Sequence, residues 1–221
     1  MKKENFIWSA IKTGLLGGAV AMFICLIGMV EIFSKRDVVE GVVTLGQFVL
    51  LATSVVAGFV ASRRTSSLLE QNKPAPNLIA GLLAGLFTGL VLTLFVILGD
   101  KVNIRAIFLN ASPTLYSLLT FGKGVSNSWV LAIAGAISGL LGAAYLLLPN
   151  MFRRPINRGL IFVIFMALFS GLFRVVFINQ GPGMERTAKA LFGQTGLTIT
   201  GALVFFFGVV GSASGNGVTG G

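Results

Sequence analysis

Histidine is absent from this chain, cysteine occurs once, and only 11% of the side chains are charged. Each shortage removes a class of protein. Without histidine and with Cys25 alone, an intrachain disulfide, a Cys/His zinc site and a His-ligated haem have no residues to build them. An average soluble chain carries about a quarter of its residues as Asp, Glu, Lys or Arg. Here 55% of the residues are hydrophobic, 29 more are glycine, and the mean hydropathy is +0.90. Too little polar material is left to coat a water-soluble globule of 221 residues. The composition defines an integral membrane protein.

The charge that does exist is basic, 17 Lys and Arg against 7 Asp and Glu, for a net charge of +10. In a soluble chain that balance would suggest nucleic acid as a partner. These cations instead sit in short clusters between apolar runs, the distribution that orients a protein in a bilayer, so no nucleic-acid partner is expected.

A hydrocarbon core of about 30 Å needs about 20 apolar residues at a rise of 1.5 Å each. Five charge-free runs meet that length: 13–30, 41–62, 74–99, 124–152 and 190–221. A sixth, 159–173, reaches it by continuing through Arg174 to Ile178. The runs are apolar on every face, unlike the alternating segments of a β-barrel. The expected fold is therefore an all-α polytopic membrane protein, a glycine-rich bundle of six transmembrane helices at about 8–32, 39–62, 76–99, 127–149, 158–178 and 194–211. Residues 1–211 read as a single transmembrane domain, and the first run is too long to be a cleavable signal peptide. Residues 212–221, within GSASGNGVTGG, read as a flexible tail or a linker leading into another module.

Cations before the first span (Lys2, Lys3, Lys12), between the second and third (Arg63, Arg64, Lys73) and between the fourth and fifth (Arg153, Arg154, Arg158) mark the cytoplasmic side of a plasma membrane. Both termini then face the cytoplasm. Trp8 and Trp129 fall at span ends and read as interfacial anchors.

Small residues every fourth position let helix backbones approach where lipid removes the hydrophobic drive to associate. Gly14 and Gly18 carry that spacing on the first span, Gly81, Gly85 and Gly89 on the third, and Gly135 and Gly139 on the fourth. Two readings stay open, plain packing and a sliding or pore-lining surface. A short segment recurs as TGLLGGA, AGLLAGL and SGLLGAA from residues 13, 80 and 138, though the abundance of Gly, Ala and Leu explains it without a duplication.

The longest connection, 100–127, contains the uncharged stretch AIFLNASPTLYSLLTFG, too polar and proline-broken to span. It predicts an interfacial or re-entrant helix between the third and fourth spans, with Pro113 after Ser112 at a turn or helix start. The segment MERTAKALFG before the last span reads as a short amphipathic surface helix. Arg174 lies far enough along its span to snorkel to the headgroups or to meet an anion.

No Asp or Glu falls within the charge-free runs, and no phosphate-binding P-loop occurs, so neither a carboxylate ion relay nor ATP hydrolysis by this chain is expected. No catalytic, cofactor-binding or metal-ligating set stands out, and an enzyme is not expected. Neutral polar residues remain as solute-path candidates, chiefly Thr44, Gln47 and Ser54 on the second span, with Arg174 on the fifth. Gln47 is the costliest of these to leave in lipid and must face the bundle or a path through it.

The stretches 28–64 (GMVEIFSKRDVVEGVVTLGQFVLLATSVVAGFVASRR), 103–122 (NIRAIFLNASPTLYSLLTFG) and 191–208 (LFGQTGLTITGALVFFFG) together resemble the amino-terminal membrane region of bacterial branched-chain amino-acid ABC transporter permeases. The resemblance implies a permease subunit, or its N-terminal half, for a small polar solute such as an amino acid. It also implies cytoplasmic ATPase subunits, a second permease subunit and an external solute-binding protein as partners. Two other readings fit the same spans: a structural subunit of a larger membrane complex, and a six-helix substrate-capture component of a vitamin-type uptake system.

Overall fold

The computed structural model describes residues 5–34, 37–39, 43–69, 74–102, 104–106, 108, 110–149, 151–154 and 156–161. Four helical segments among them are long and apolar enough to cross a membrane: α1 (Phe6–Leu26), α3 (Leu45–Leu69), α4 (Pro74–Lys101) and Val125–Leu147, which is a 3-10 turn running into α6 (Trp129–Leu147). Between them lie the short helices α2 (Met29–Ser34) and α5 (Pro113–Leu119), and a two-stranded antiparallel ladder of β1 (Asp37–Val39) and β2 (Val43–Thr44). The predicted fifth and sixth spans fall almost wholly outside the described residues. So does the predicted amphipathic segment before the sixth.

The chain divides into two compact units, 1–35 with 46–147 and 36–45 with 148–221. In the second unit the described residues form the β1–β2 ladder and a helical stretch at 151–154 and 156–161. There the Arg153 side chain donates from Nε to the Leu148 carbonyl at 2.8 Å, and the Phe152 amide returns to Pro149 at 3.0 Å. The first unit is the helical bundle, and the account that follows concerns it.

Two span boundaries differ from the sequence expectation. The first apolar run does not continue as one helix over 8–32. Gly28 adopts φ +81°, a left-handed conformation that glycine enters without steric cost, and its amide returns to the Cys25 carbonyl at 3.0 Å. α1 therefore ends at Leu26 and the chain turns into α2. The second span begins at Leu45 rather than 39, because 43–44 pair as a strand, and it runs on to Leu69. Thr44, expected on that helix, lies in β2 instead.

In the bundle small residues are inside and large ones outside. Ala10, Ala21, Ala80, Ala84 and Ala143 are fully buried, whereas Leu16, Phe23, Leu94 and Leu141 are 67%, 62%, 57% and 61% exposed. Water would make that pattern costly. In lipid the large side chains lose nothing by facing outward, and small ones allow backbone approach. Antiparallel packing of α4 on α6 carries this furthest: Gly81 abuts Ala143 and the Gly139 carbonyl, Gly85 abuts Gly135 and Gly139, and Gly89 abuts Leu131 and Ala132. On its other side α4 meets α1, where a Cβ at Gly14 would stand 2.5 Å from the Ala84 carbonyl oxygen and one at Gly18 the same distance from the Val91 Cβ. α3 closes against α6 at Gly58 and Gly142.

The bundle's interior changes character along its length. One end is filled by Ala10, Ala57, Ala61, Ala80 and Ala84, and the other by Leu50, Leu92, Phe95, Val96 and Leu131 together with Leu115 and Leu119 of α5. Bulkier residues fill that second end, and α5 supplies two of its leucines.

Candidate functional site

One set of polar side chains ties α5 to the ends of α1, α2 and α3. Pro113 opens α5, where its missing N–H would have had no partner, and Ser112 is the N-cap. The Ser112 Oγ accepts from the Leu115 amide at 3.0 Å and donates to Glu31 Oε2 on α2 at 3.2 Å. Asn110 donates from Nδ2 to the Leu26 carbonyl at 3.0 Å, satisfying one of the orphan carbonyls at the end of α1. The same amide sits beside Gly28, where a Cβ would meet Asn110 Cγ at 2.9 Å.

Gln47, 5% exposed in the first turn of α3, donates from Nε2 to the Leu118 carbonyl at 2.9 Å. Its amide therefore faces the bundle and holds the C-terminal turn of α5. Thr120 bonds the carbonyl of Tyr116 at 2.9 Å, and the Tyr116 ring lies 5.9 Å from that of Phe95 with the planes tilted by 53°. The Tyr116 hydroxyl is enclosed against Gly99, with no hydrogen-bond partner among the described residues, and burial raises its pKa above the usual 10.

Other hydroxyls in the spans tie helix to helix. Thr88 donates to the carbonyls of Gly14 at 3.0 Å and Ala84 at 2.9 Å, Thr93 to those of Gly89 at 2.9 Å and Ser128 at 3.0 Å, and Ser62 to that of Asn77 at 2.6 Å. These bonds place polar atoms at the helix contacts, where lipid cannot reach them.

The solute-path candidates do not converge. Ser54 is buried, 2% exposed, two turns from Gln47 on α3. Thr44 is in β2, and Arg174 lies outside the described residues. A cleft of about 360 Å³ does open between α1 and α3, but Gln47, Thr44 and Ser54 do not line it, and its walls are Leu, Val, Ala and Gly with two threonines. The glycines singled out in the sequence, Gly14, Gly18, Gly81, Gly85, Gly89, Gly135 and Gly139, all lie at helix–helix contacts.

Glu31 and Asn110 were not among the residues the sequence brought forward. Glu31 sits just past the first charge-free run, within what reads as one helix, and only the helix break at Gly28 turns it toward α5. Asn110 matches the glycosylation sequon Asn110-Ala111-Ser112, which the following Pro113 makes a poor acceptor. Both ends of that triplet are engaged in holding α5.

Among the described residues no group of three or more His, Cys, Asp or Glu is placed to hold a metal ion. The fold defines the class, a polytopic α-helical membrane protein with four candidate spans among the described residues. Comparison with protein-family models, curated proteins and solved structures finds no match to the chain.

Proposed function

We propose that this chain is the membrane-embedded scaffold module of a permease-type transport assembly for a small polar solute such as an amino acid, energised by a partner ATPase. One observation carries the scaffold assignment. Gln47, the solute-path candidate with the costliest amide, is engaged in holding α5 through Leu118, and Thr88, buried in the bundle, ties α4 to α1 through Gly14. The α4–α6 seam is also backbone against backbone. Such a seam cannot slide without losing its close fit, which favours rigid packing over a moving surface.

The permease part of the reading rests on sequence, namely six glycine-rich spans, the missing P-loop and the likeness at 28–64, 103–122 and 191–208. In this reading spans at about 158–178 and 194–211 complete six, both termini face the cytoplasm, and α5 caps the external end as an interfacial or re-entrant helix. The solute crosses outside the bundle of α1, α3, α4 and α6, along surfaces shared with a second permease subunit and fed by an external solute-binding protein.

Affinity purification of the full chain under mild detergent tests it. Recovery of a nucleotide-binding subunit is expected, with assembly lost in Gly85→Leu but kept in Gln47→Leu. Purification without any ATPase, combined with amino-acid uptake unaltered by deletion of the chain, would falsify the proposal. Retention of a tightly bound small ligand by the isolated chain would replace it with the substrate-capture reading. A reporter fused after Gly221 is expected to be active only on the cytoplasmic side.

A further inference from the structure

We propose that α5 is a displaceable plug, which leaves the end of the bundle as a unit by turning about residues 121–124 while α1, α3, α4 and α6 stay packed. This goes beyond the scaffold reading and does not depend on it.

The C-terminal end of α5 carries the hinge. Thr120 is the C-cap, the Phe121 amide donates to the Leu118 carbonyl at 3.2 Å, and the Gly122 amide donates to the Ser117 carbonyl at 2.8 Å. These are the paired bonds of a Schellman turn, whose first residue past the cap is left-handed and usually glycine. Here Phe121 holds that place at φ +53°, one position before a glycine. Left-handed backbone disfavours a residue with a Cβ by about 5- to 30-fold in an equilibrium. Gly122 and Gly124 follow at φ +72° and +79°, with nothing within 4 Å of where a Cβ would stand, so neither glycine is packed against the bundle.

A second cost of docking lies on α5 itself. The Tyr116 hydroxyl is enclosed against Gly99 with no hydrogen-bond partner among the described residues. A buried group left unsatisfied weighs against the docked form by about 5- to 150-fold, and contact with water or headgroups removes that penalty.

Three side-chain hydrogen bonds act the other way. Gln47 holds the Leu118 carbonyl at 2.9 Å, Asn110 the Leu26 carbonyl at 3.0 Å, and Ser112 the Glu31 carboxylate at 3.2 Å. Interhelical bonds in membranes shift an equilibrium by about threefold each on average, so three together give about 30-fold. Apolar contact decides less than it would in water. Leu115 and Leu119 are 0% and 1% exposed, but their surroundings after undocking are lipid, and exchanging one apolar environment for another gains little. Ties and stored costs are therefore of similar size, the condition for an element with two populated positions. The α4–α6 seam carries neither a left-handed residue nor an unpartnered hydroxyl. Undocking uncovers Leu50, Leu92, Phe95 and Leu131 and releases the Gln47 amide from Leu118.

Hydrogen exchange of the full chain in phosphatidylcholine nanodiscs tests the proposal. A seven-residue helix does not persist alone, so the α5 amides exchange whenever it leaves the bundle. Opening of α5 is expected to be favoured over opening of the α4–α6 seam by about 100-fold or more. Gln47→Leu and Asn110→Ala should each raise α5 opening by roughly three- to fivefold. Tyr116→Phe should lower it by about fivefold or more, since the variant keeps the ring and drops the enclosed hydroxyl. Phe121→Gly and Phe121→Ala both lose the ring, and the glycine variant should open about fivefold less than the alanine one because only alanine resists the left-handed turn. A second measurement reads position. In a Cys25→Ser chain, which then has no cysteine of its own, spin labels go on Ser117→Cys and Leu98→Cys, both exposed positions, one on α5 and one on α4. Adding Gln47→Leu and Asn110→Ala should make a second, longer label-to-label distance appear beside the docked one. The proposal is overturned by α5 exchange no faster than that of the seam, by exchange in Tyr116→Phe no slower than in the parent, or by a single unaltered distance in the labelled double variant.

Discussion

Gly135 and Gly85 face each other with no side chain between them: a Cβ at Gly135 would stand 2.5 Å from the Gly85 carbonyl oxygen and 3.0 Å from the Cα of Gly89. The obstacle is backbone, so no rotamer change relieves it. Gly135→Ala is expected to destabilise the bundle by about 1–3 kcal/mol, the usual range for overpacking, and Gly85→Leu to prevent the α4–α6 contact altogether. Gly124→Ala makes the contrast. Nothing lies within 4 Å of a Cβ there, but φ is +79°, so the expected loss is the left-handed penalty alone, about 1–2 kcal/mol. Thermal unfolding of the three variants in one detergent ranks them, and a Gly135→Ala protein as stable as the parent would contradict the close packing.

What the sequence made legible follows from which forces act locally. α4 and α6 lie close to the expected 76–99 and 127–149 because a charge-free run bounded by Pro74 and Asp100, or opened by Trp129, states its own ends. The start of α5 was equally readable, since a Ser-Pro pair is both a cap and a helix opening. The break at Gly28 was not, because ICLIGMVEIF stays apolar through it and helical periodicity does not register a single left-handed residue. Thr44 was misplaced for a related reason: DVV and VT, joined by Glu40, Gly41 and Val42, carry no alternation to separate strand from helix start. That Gln47 needed a partner could be deduced from the cost of its amide. Which partner could not, for Leu118 is 71 residues away.

Removing that partner has a defined consequence. Gln47→Leu takes its side-chain donor from the Leu118 carbonyl at the C-terminal turn of α5 and leaves it the Phe121 amide at 3.2 Å, so the cost falls short of the about 1–3 kcal/mol that a wholly unsatisfied buried group costs in water-soluble proteins. Interhelical bonds in membranes average nearer 0.6 kcal/mol, so a loss of about 1 kcal/mol is expected. Hydrogen exchange should quicken in α5 while the α4–α6 seam stays protected. If Gln47 instead lined a solute path, uptake per folded molecule would fall with exchange in α5 unchanged.

Ser112 serves two partners, and a double-mutant cycle separates them. Ser112→Ala removes both the cap on the Leu115 amide and the hydrogen bond to Glu31, at an expected cost of about 1 kcal/mol for the cap with a smaller share for the carboxylate. Glu31→Gln alone should cost less, and the pair should cost less than the sum because the Ser112–Glu31 bond is then counted once. Additive single effects would mean that the two residues do not interact.

Alkaline pH probes the enclosed phenol. Burial raises the folded-state pKa of Tyr116 above the value of about 10 that the unfolded chain would show. Between those two values the folded state holds the proton that the unfolded state has released, so stability falls as pH rises. The contribution is fully present below about pH 10 and is lost as pH climbs through the raised value. Tyr116→Phe keeps the ring on Phe95 and removes the titrating group, so the variant should show a shallower decline above pH 10 than the parent. It should also be no less stable at neutral pH, because the hydroxyl it loses has no hydrogen-bond partner among the described residues. Equilibrium unfolding in detergent across that pH range, with phenolate absorbance followed in parallel, gives both slopes. Identical declines in parent and variant would show that the hydroxyl is not enclosed at Gly99.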